Sequence, residues 1–384
     1  MIESVRLHQV RSWADGNVAF TPGPHIFWGE NGAGKTTILE ACIIAATGRS
    51  HRASALREVI AGDADQASIT VAVREHGAEP DDTLAQSTLT VEVSRVGRAK
   101  HLLNGTPRAT AALGQRLRVA AFVPEETGLV VGAPAIRRGL LDRVASQWQR
   151  GYEATLTRYE RALRQRNRLL KDALEADGAA RRAIASEMRP WTEMLITTGS
   201  ELVATRLALL SALTPALSVT HNEVAPSEGE LETRYLSREE YHADESASEC
   251  ASRLSQSFDQ TAETEAYQGY TLVGPHRDDI AFYVGGSDIA PTASRGQQRS
   301  LLLALLFAEI KLLTDEHGHP PVLLLDDAFS ELDPQRREHL VARIAALPQS
   351  IITATALEDL APGLVARATS REIRRGTDGS LVTA

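Results

Sequence analysis

The residues best suited to chemistry lie at positions 29–36 and read Gly-Glu-Asn-Gly-Ala-Gly-Lys-Thr. This G-x-x-x-x-G-K-T spacing follows a short apolar strand and precedes a helix, so backbone N–H groups and the helix N-terminus can surround a phosphate. In such a loop Lys35 would reach the β- and γ-phosphates of a nucleotide, and the Thr36 hydroxyl would bind Mg²⁺. The predicted phosphate-binding residues are Gly29, Glu30, Asn31, Gly32, Ala33, Gly34, Lys35, Thr36 and Thr37.

Two carboxylates are predicted at the end of a buried strand. Residues 322–325 read Val-Leu-Leu-Leu, and Asp326 and Asp327 follow directly. A phosphate-binding loop needs an acidic partner at the carboxyl end of a neighbouring strand. We expect Asp326 to hold Mg²⁺ through water, and Asp327 to be catalytic together with Lys35. An apolar run that ends in Asp-Asp is a weak signal alone, but paired with residues 29–36 it indicates an ATPase site.

A third motif is the helix start at residues 293–298, which read Ala-Ser-Arg-Gly-Gln-Gln. Ser294 followed by Gly296 offers a hydroxyl and free backbone N–H groups that can bind phosphate, although an ordinary serine cap has the same residues. Beside the two motifs above, this run resembles the signature of ABC ATPases, and residues 330–333 resemble their D-loop. The resemblance implies that Ser294, Gly296 and Gln297 contact ATP held by a second copy, so that ATP joins a homodimer.

The same resemblance extends to other residues around the nucleotide. ABC ATPases generally keep a glutamate where Asp327 stands, and the shorter side chain implies slow hydrolysis. No histidine occurs at residues 351–355, where ABC proteins keep a switch histidine, so Thr353 or Thr355 would sense the γ-phosphate instead. Arg52 resembles an arginine that SMC-type heads place close to the nucleotide, and a surface arginine is the alternative interpretation.

The elements that position these motifs indicate an α/β fold. Residues 1–100 have strand patterns around one helix at 35–47, and residues 133–217 have helical spacing with a predicted break at Pro190. Residues 221–265 are acidic and suggest an exposed connection. We expect an ABC-type P-loop ATPase head, a mixed sheet with helices, with an inserted α-helical lobe. The expected parts are 1–125 and 267–384 for the two halves of the head, and 126–266 for the lobe and its acidic connection.

Three further sequence segments indicate which family of ABC-type ATPases this chain resembles. Residues 271–279 read Thr-Leu-Val-Gly-Pro-His-Arg-Asp-Asp, residues 48–52 read Gly-Arg-Ser-His-Arg, and residues 122–126 read Phe-Val-Pro-Glu-Glu. They resemble the RecF family, although the segment around Glu125 departs from the family's usual Phe-Ser-Pro-Glu-Asp-Leu. The resemblance implies a weak, DNA-stimulated ATPase of recombinational repair. It would act as an ATP-gated clamp on double-stranded and gapped DNA, and work with RecR and RecO to load RecA.

The charge of the chain is unevenly distributed. A net charge of −9 argues against a nucleic-acid partner, because Lys and Arg contacts to phosphate dominate such binding. However, residues 137–171 hold ten basic and three acidic residues, and residues 223–265 are strongly acidic. The candidate DNA contacts share one helical face of the basic stretch: Arg158, Arg161, Arg164 and Arg168. A solvated face of a helical hairpin is the alternative interpretation.

Several other classes of protein and site are disfavoured. The N-terminus lacks a secretory signal and we find no apolar stretch of membrane-spanning length, so we expect a cytoplasmic protein without a membrane partner. Cys42 and Cys250 give neither a disulfide framework nor metal-ligand spacing. Residues 276–279, His-Arg-Asp-Asp, fit a turn tied by an Arg–Asp pair better than a metal site. An ATP-dependent nuclease and a cytosolic ABC importer subunit remain the alternative functions.

Overall fold

The computed structural model describes residues 1–75, 85–329, 332, 334–376 and 379–383. The strands are β1 (Ile2–Val10), β2 (Trp13–Ala19), β3 (Gly23–Trp28), β4 (Gln66–Arg74), β5 (Gln86–Ser94), β6 (Lys100–Leu103), β7 (Thr106–Pro107), β8 (Val119–Phe122), β9 (Leu231–Leu236), β10 (Asp279–Val284), β11 (Ser287–Asp288), β12 (Val322–Asp326), β13 (Gln349–Ala354), β14 (Thr369–Gly376) and β15 (Gly379–Thr383). The helices are α1 (Lys35–Thr47), α2 (Thr110–Gly114), α3 (Pro134–Trp148), α4 (Tyr152–Glu175), α5 (Gly178–Val224), α6 (Ala247–Gln268), α7 (Arg295–His317), α8 (Pro334–Ala345) and α9 (Pro362–Val365).

Contacts divide the chain into two compact units. The head unit comprises residues 1–128, 223–226 and 294–384, and the helical unit comprises residues 129–222 and 227–293. The boundary expected at residue 266 differs from this division, because the helical unit continues to Ala293. The reason is the antiparallel pairing of β9 with β10, which joins strands from both sides of the expected boundary.

The head unit contains two six-stranded sheets. One is antiparallel in the order β2-β1-β4-β5-β6-β7, and the other has the order β15-β14-β3-β13-β12-β8. In the second sheet β14, β3, β13, β12 and β8 run parallel. Strands from the N-terminal and C-terminal parts of the head unit are therefore interleaved in one sheet. The carboxyl ends of its five parallel strands meet at one edge, where α/β proteins place ligands.

Helix α1 contacts strands of both sheets in the head unit. Every residue of this helix except Thr36 is buried. A helix covered on all sides needs apolar residues on all sides, which explains the run Ile-Leu-Glu-Ala-Cys-Ile-Ile-Ala-Ala at residues 38–46, where Glu40 is the one charged residue. The expected α/β architecture is confirmed for this unit.

The helical unit differs from two local expectations. Helix α5 continues through Pro190, where a break is predicted, because proline removes one backbone donor while apolar residues further along, such as Leu195 and Leu202, remain buried. The acidic segment 221–265 is not a simple connection, since it contains β9 and most of α6. Its acids obscure the helical spacing of Cys250, Leu254, Phe258 and Thr261, which α6 buries.

Helix α5 also corrects the expectation that no apolar stretch is long enough to span a membrane. By length and composition it could span a membrane, and 44% of its most apolar window is buried. Its buried Arg206 forms an ion pair with Asp142 of α3 at 2.8 Å.

Candidate functional site

The loop before α1 has a backbone that glycine alone adopts without strain. Gly29, Gly32 and Gly34 have φ values of 140°, 80° and 107°. The loop is also closely packed, since a Cβ on Gly34 would lie 2.4 Å from Ser380 Oγ and 2.7 Å from Trp13 Nε1. The same Trp13 nitrogen donates to the carbonyl of Gly34 at 3.0 Å. Sequence reasoning missed Trp13 and Ser380, which come from distant parts of the chain.

Lys35 lies across this loop. Its ammonium donates to the carbonyls of Gly29 at 2.5 Å and Glu30 at 2.8 Å. Burial lowers the pKa of Lys35, and the nearby charges of Asp327 and Asp326 oppose that shift. The cation is thus held over the loop by neutral acceptors, which a bound phosphate would replace with charged ones.

Asp326 joins three elements at the carboxyl edge of the parallel strands. Its Oδ1 accepts hydrogen bonds from Thr36 Oγ1 at 2.9 Å and from Thr353 Oγ1 at 2.6 Å. The Asp327 N–H donates to the same Thr353 hydroxyl at 3.1 Å, and Asp327 itself is exposed with φ 50°. A hydroxyl beside a carboxylate is the set of hard oxygen ligands that suits Mg²⁺. Thr36 and Asp326 therefore fit the expected metal position.

A buried carboxylate on α1 organises the arginines next to the loop. Glu40 accepts hydrogen bonds from Arg11 at 2.7 and 3.1 Å and from Ser50 Oγ at 2.5 Å. Burial acts to raise the pKa of Glu40, but these donors and the charge of Arg52 outweigh it and hold the pKa below its ordinary value. Arg52 lies between carboxylates, 3.6 Å from Glu40 and 3.6 Å from Glu125. An acid inside an apolar helix was the signal for Glu40 that sequence reasoning missed.

Glu125 lies on a 3₁₀ turn, Pro124–Gly128, that follows the carboxyl end of β8. Because β8 neighbours β12, the turn reaches the sheet edge that carries Asp326. Burial raises the pKa of Glu125, and the negative charges of Asp326 and Glu40 act in the same direction. The edge therefore holds more carboxylates than the two predicted from the sequence.

The predicted signature residues form the start of α7 in the head unit. Ser294 Oγ accepts from the N–H of Gln297 at 3.2 Å, and the Gln297 side chain accepts from the N–H of Ser294 at 3.0 Å. Next to Gly296, Arg336 of α8 donates to Ser300 Oγ at 2.6 and 3.1 Å. The hydrogen bonds of the Ser294 and Gln297 side chains thus stay within the helix start. Of the expected D-loop, Ser330, Glu331 and Asp333 lie outside the described residues.

The candidate DNA contacts lie in the helical unit. Each is exposed on α4: Arg158, Arg161, Arg164 and Arg168. Two of them approach acids, with Arg158 3.5 Å from Glu201 and Arg164 3.9 Å from Glu160. Exposed ion pairs of this kind contribute little to stability, so these arginines can exchange their acidic neighbours for an anionic partner.

Residues 271–279 form an internally bonded turn. Asp279 binds Arg137 through two hydrogen bonds of 2.7 and 2.8 Å, so the arginine of the expected Arg–Asp pair comes from α3. Tyr159 OH lies 2.6 Å from His276 Nδ1, and Tyr235 OH donates to Asp278 at 2.7 Å. Within the described residues, no group of three or more His, Cys, Asp or Glu side chains could hold a metal ion.

Comparison with known proteins agrees with the geometry. The model of the RecF/RecN/SMC N terminal domain family matches residues 1–362. The chain is 34% identical to DNA replication and repair protein RecF of Ligilactobacillus salivarius over 95% of this chain and 93% of that protein. It is 35% identical to the RecF of Symbiobacterium thermophilum over 94% of this chain and 92% of that protein.

A solved structure of the recombination mediator protein RecF-ATP in the RecFOR pathway has the same fold. Its TM-score is 0.85 at 25% identity, with 100% of this chain and 97% of that chain covered. The expected fold, an ABC-type ATPase head with an inserted helical lobe, is thereby confirmed, and so is the resemblance drawn from residues 48–52, 122–126 and 271–279. The chain belongs to the RecF family of the RecF/RecN/SMC N-terminal domain proteins.

Proposed function

We propose that this chain binds ATP with Mg²⁺ at residues 29–36 and hydrolyses it slowly. The observation that carries the proposal is the 2.9 Å contact between the Thr36 hydroxyl and the Asp326 carboxylate, at the N-terminus of α1. Lys35 binds the β- and γ-phosphates, and Thr36 and, through water, Asp326 hold the metal, which neutralises phosphate charge. Asp327 orients the attacking water from the same edge.

We further propose that two copies close on ATP. Ser294 is exposed at the N-terminus of the 23-residue helix α7, whose dipole and N–H groups favour a phosphate. Gly296 leaves the backbone there accessible. The signature of one copy would complete the site that the loop of the other begins.

The assembled dimer would act as an ATP-gated clamp in recombinational repair. It would hold double-stranded and gapped DNA, release it on hydrolysis, and work with RecR and RecO to load RecA, in the cytoplasm. DNA would stimulate hydrolysis, because closure of the dimer on DNA completes both sites. The support is membership of the RecF family and the exposed arginine face of α4.

The test of assembly is light scattering with and without ATP. Wild type should change from monomer to dimer on addition of ATP. Lys35→Met should bind ATP too weakly to dimerise and stay monomeric, whereas Ser294→Arg should bind ATP and stay monomeric. A Ser294→Arg protein that dimerises with ATP would exclude the proposed role of the signature.

The test of DNA contact is charge reversal on α4. Arg161→Glu combined with Arg168→Glu should weaken duplex binding and lower the salt-dependence slope by about 2, one phosphate contact for each arginine. Arg189→Glu, an exposed change on α5, is the matched control. An unchanged slope in the double variant would remove α4 from the DNA site.

A further inference from the structure

Aromatic side chains are unevenly exposed in this protein. The chain has seven Tyr, seven Phe and four Trp, all within the described residues. Two of these are exposed, Tyr267 by 85% and Tyr270 by 41%. They lie three residues apart where Gly269, with φ 77°, ends α6. One exposed ring needs no explanation, but two in one turn, with every other aromatic residue buried or half-buried, mark a contact surface.

Buried hydrogen bonds fix this turn to α4. Arg166 donates to Glu265 at 2.5 Å and to Thr271 Oγ1 at 2.8 Å. Glu265 precedes the two tyrosines in the sequence and Thr271 follows them. Asn167 Oδ1 accepts from the backbone N–H of Thr271 at 2.8 Å. The two tyrosines therefore project from a braced backbone, and less conformational freedom is lost when a partner binds.

Two cations lie close to the turn that carries the rings. A Cβ on Gly269 would lie 2.6 Å from Leu174 Cδ1 and 3.8 Å from Lys171 Cα, so the turn lies against the end of α4. Arg277 is exposed and stacks on the ring of Tyr270, with its guanidinium carbon 5.2 Å from the centroid. The other exposed charges near this turn are Arg164, Arg168 and Lys171 on α4, the acids Asp172 and Glu175 on the same helix, and Glu263 one helical turn before Tyr267.

We propose that Tyr267, Tyr270, Arg277 and Lys171 form a binding surface for single-stranded DNA, the tyrosine surface. Unpaired bases stack on the two rings, and the cations bind the phosphates between them. A duplex keeps its bases stacked within, so it can use the arginines of α4 but not the rings. The tyrosine surface thus recognises the unpaired strand at a gap. This inference rests on the proposed binding of DNA.

The test separates base stacking from charge. Fluorescence anisotropy would compare three labelled probes of about 20 nucleotides or base pairs: oligo(dT), an abasic strand of the same length, and a duplex. Wild type should bind oligo(dT) about tenfold more tightly than the abasic strand. Replacing both tyrosines by Phe keeps the rings and should keep that preference. Replacing both by Leu keeps apolar area and should abolish the preference, with duplex affinity unchanged.

The outcomes distinguish the inference from the function on which it rests. Wild type that binds neither strand nor duplex would refute the proposed DNA function itself. Wild type that binds duplex, but binds oligo(dT) and the abasic strand equally, would overturn the tyrosine surface alone. A Leu double variant that retains the preference for bases would also overturn it, and would assign the exposed rings to a protein partner.

Discussion

Two glycine-containing motifs of this protein look alike in sequence and do opposite things in the structure. Residues 29–36 and residues 271–279 each combine glycine with a cation and nearby acids. In the first, the charged groups lie at the open edge of a parallel sheet, and Lys35 has carbonyls as its hydrogen-bond acceptors. In the second, ionisable groups are matched by the protein itself, as Arg137 matches Asp279.

The difference indicates how a ligand site can be told from a structural ion pair. In a ligand site the charged side chains lie at an open edge, where a ligand can supply the opposite charge. Buried charges that the chain satisfies internally act as structural clamps. Four substitutions test this distinction between an open site in the head unit and a closed network in the helical unit.

Arg206→Met should have the largest effect, on stability alone. Buried Arg206 donates to Asp142 at 2.8 Å and to the Pro275 carbonyl at 2.7 Å, so the variant leaves both acceptors without this donor. The free energy of unfolding of the helical unit should fall by about 3–5 kcal/mol, measured by urea denaturation. Arg189→Met, whose partner Glu193 is exposed, should leave it unchanged. If folded Arg206→Met bound ATP more weakly than wild type, the network of the helical unit would not be separate from the site in the head unit.

Lys35→Met should affect ligand binding alone. Loss of the ammonium should weaken ATP affinity by about 100-fold, measured by calorimetry, because a charge-assisted contact to phosphate disappears. The free energy of unfolding should change little, since the acceptors of Lys35 are uncharged loop carbonyls and burial already disfavours its ammonium. Arg277→Met is the control from the other motif and should bind ATP like wild type. Equal losses in both variants would contradict the comparison.

Asp278 should give the helical unit a pH dependence. Burial raises the pKa of Asp278 to about 7, with the charge of Glu239 adding to the shift and Tyr235, Arg206 and Arg138 opposing it. The native state then holds the proton that the unfolded chain releases, so stability falls as pH rises from about 4 to about 7, by up to about 1.4 kcal/mol per pH unit. Asp278→Asn should remove this slope in unfolding titrations. An equal slope in the variant would assign the titration elsewhere.

Glu40 in the head unit should give a pH dependence of stability with the opposite sign to that of Asp278. Its pKa is held below the ordinary value by Arg11, Ser50 and Arg52, so its contribution is present at neutral pH and is lost as pH falls through that lowered pKa.

Thr353→Val should have the smallest effect. The substitution keeps shape but removes the hydroxyl that donates to Asp326 and accepts the N–H of Asp327. We expect stability to fall by about 1–2 kcal/mol, and ATP turnover to fall severalfold with ATP affinity nearly unchanged. The exposed Thr369→Val on β14 is the matched control. Normal turnover in Thr353→Val would show that this bond positions nothing needed for hydrolysis.

The sequence predicted the local parts of the site well. Three glycines in the spacing of residues 29–36 specify a loop with positive φ, and the apolar run before Asp326 specifies a buried strand. The spacing of the arginines on α4 likewise predicted one exposed face. Predictions for α5 and α6 failed where a local signal, Pro190 or a high content of acids, was weaker than tertiary packing.

By itself the sequence determined the loop, its helix, the two carboxylates and the family, because each depends on a few consecutive residues. Only the fold brings particular charged residues together at the edge of the parallel sheet. Thr36 meets Asp326 across 290 positions of the sequence, and Glu40 gathers arginines from separate loops. It also closed residues 271–279 into a clamp and left two tyrosines exposed. Burial and hydrogen-bond partners arise from packing of distant segments, and no local pattern specifies them.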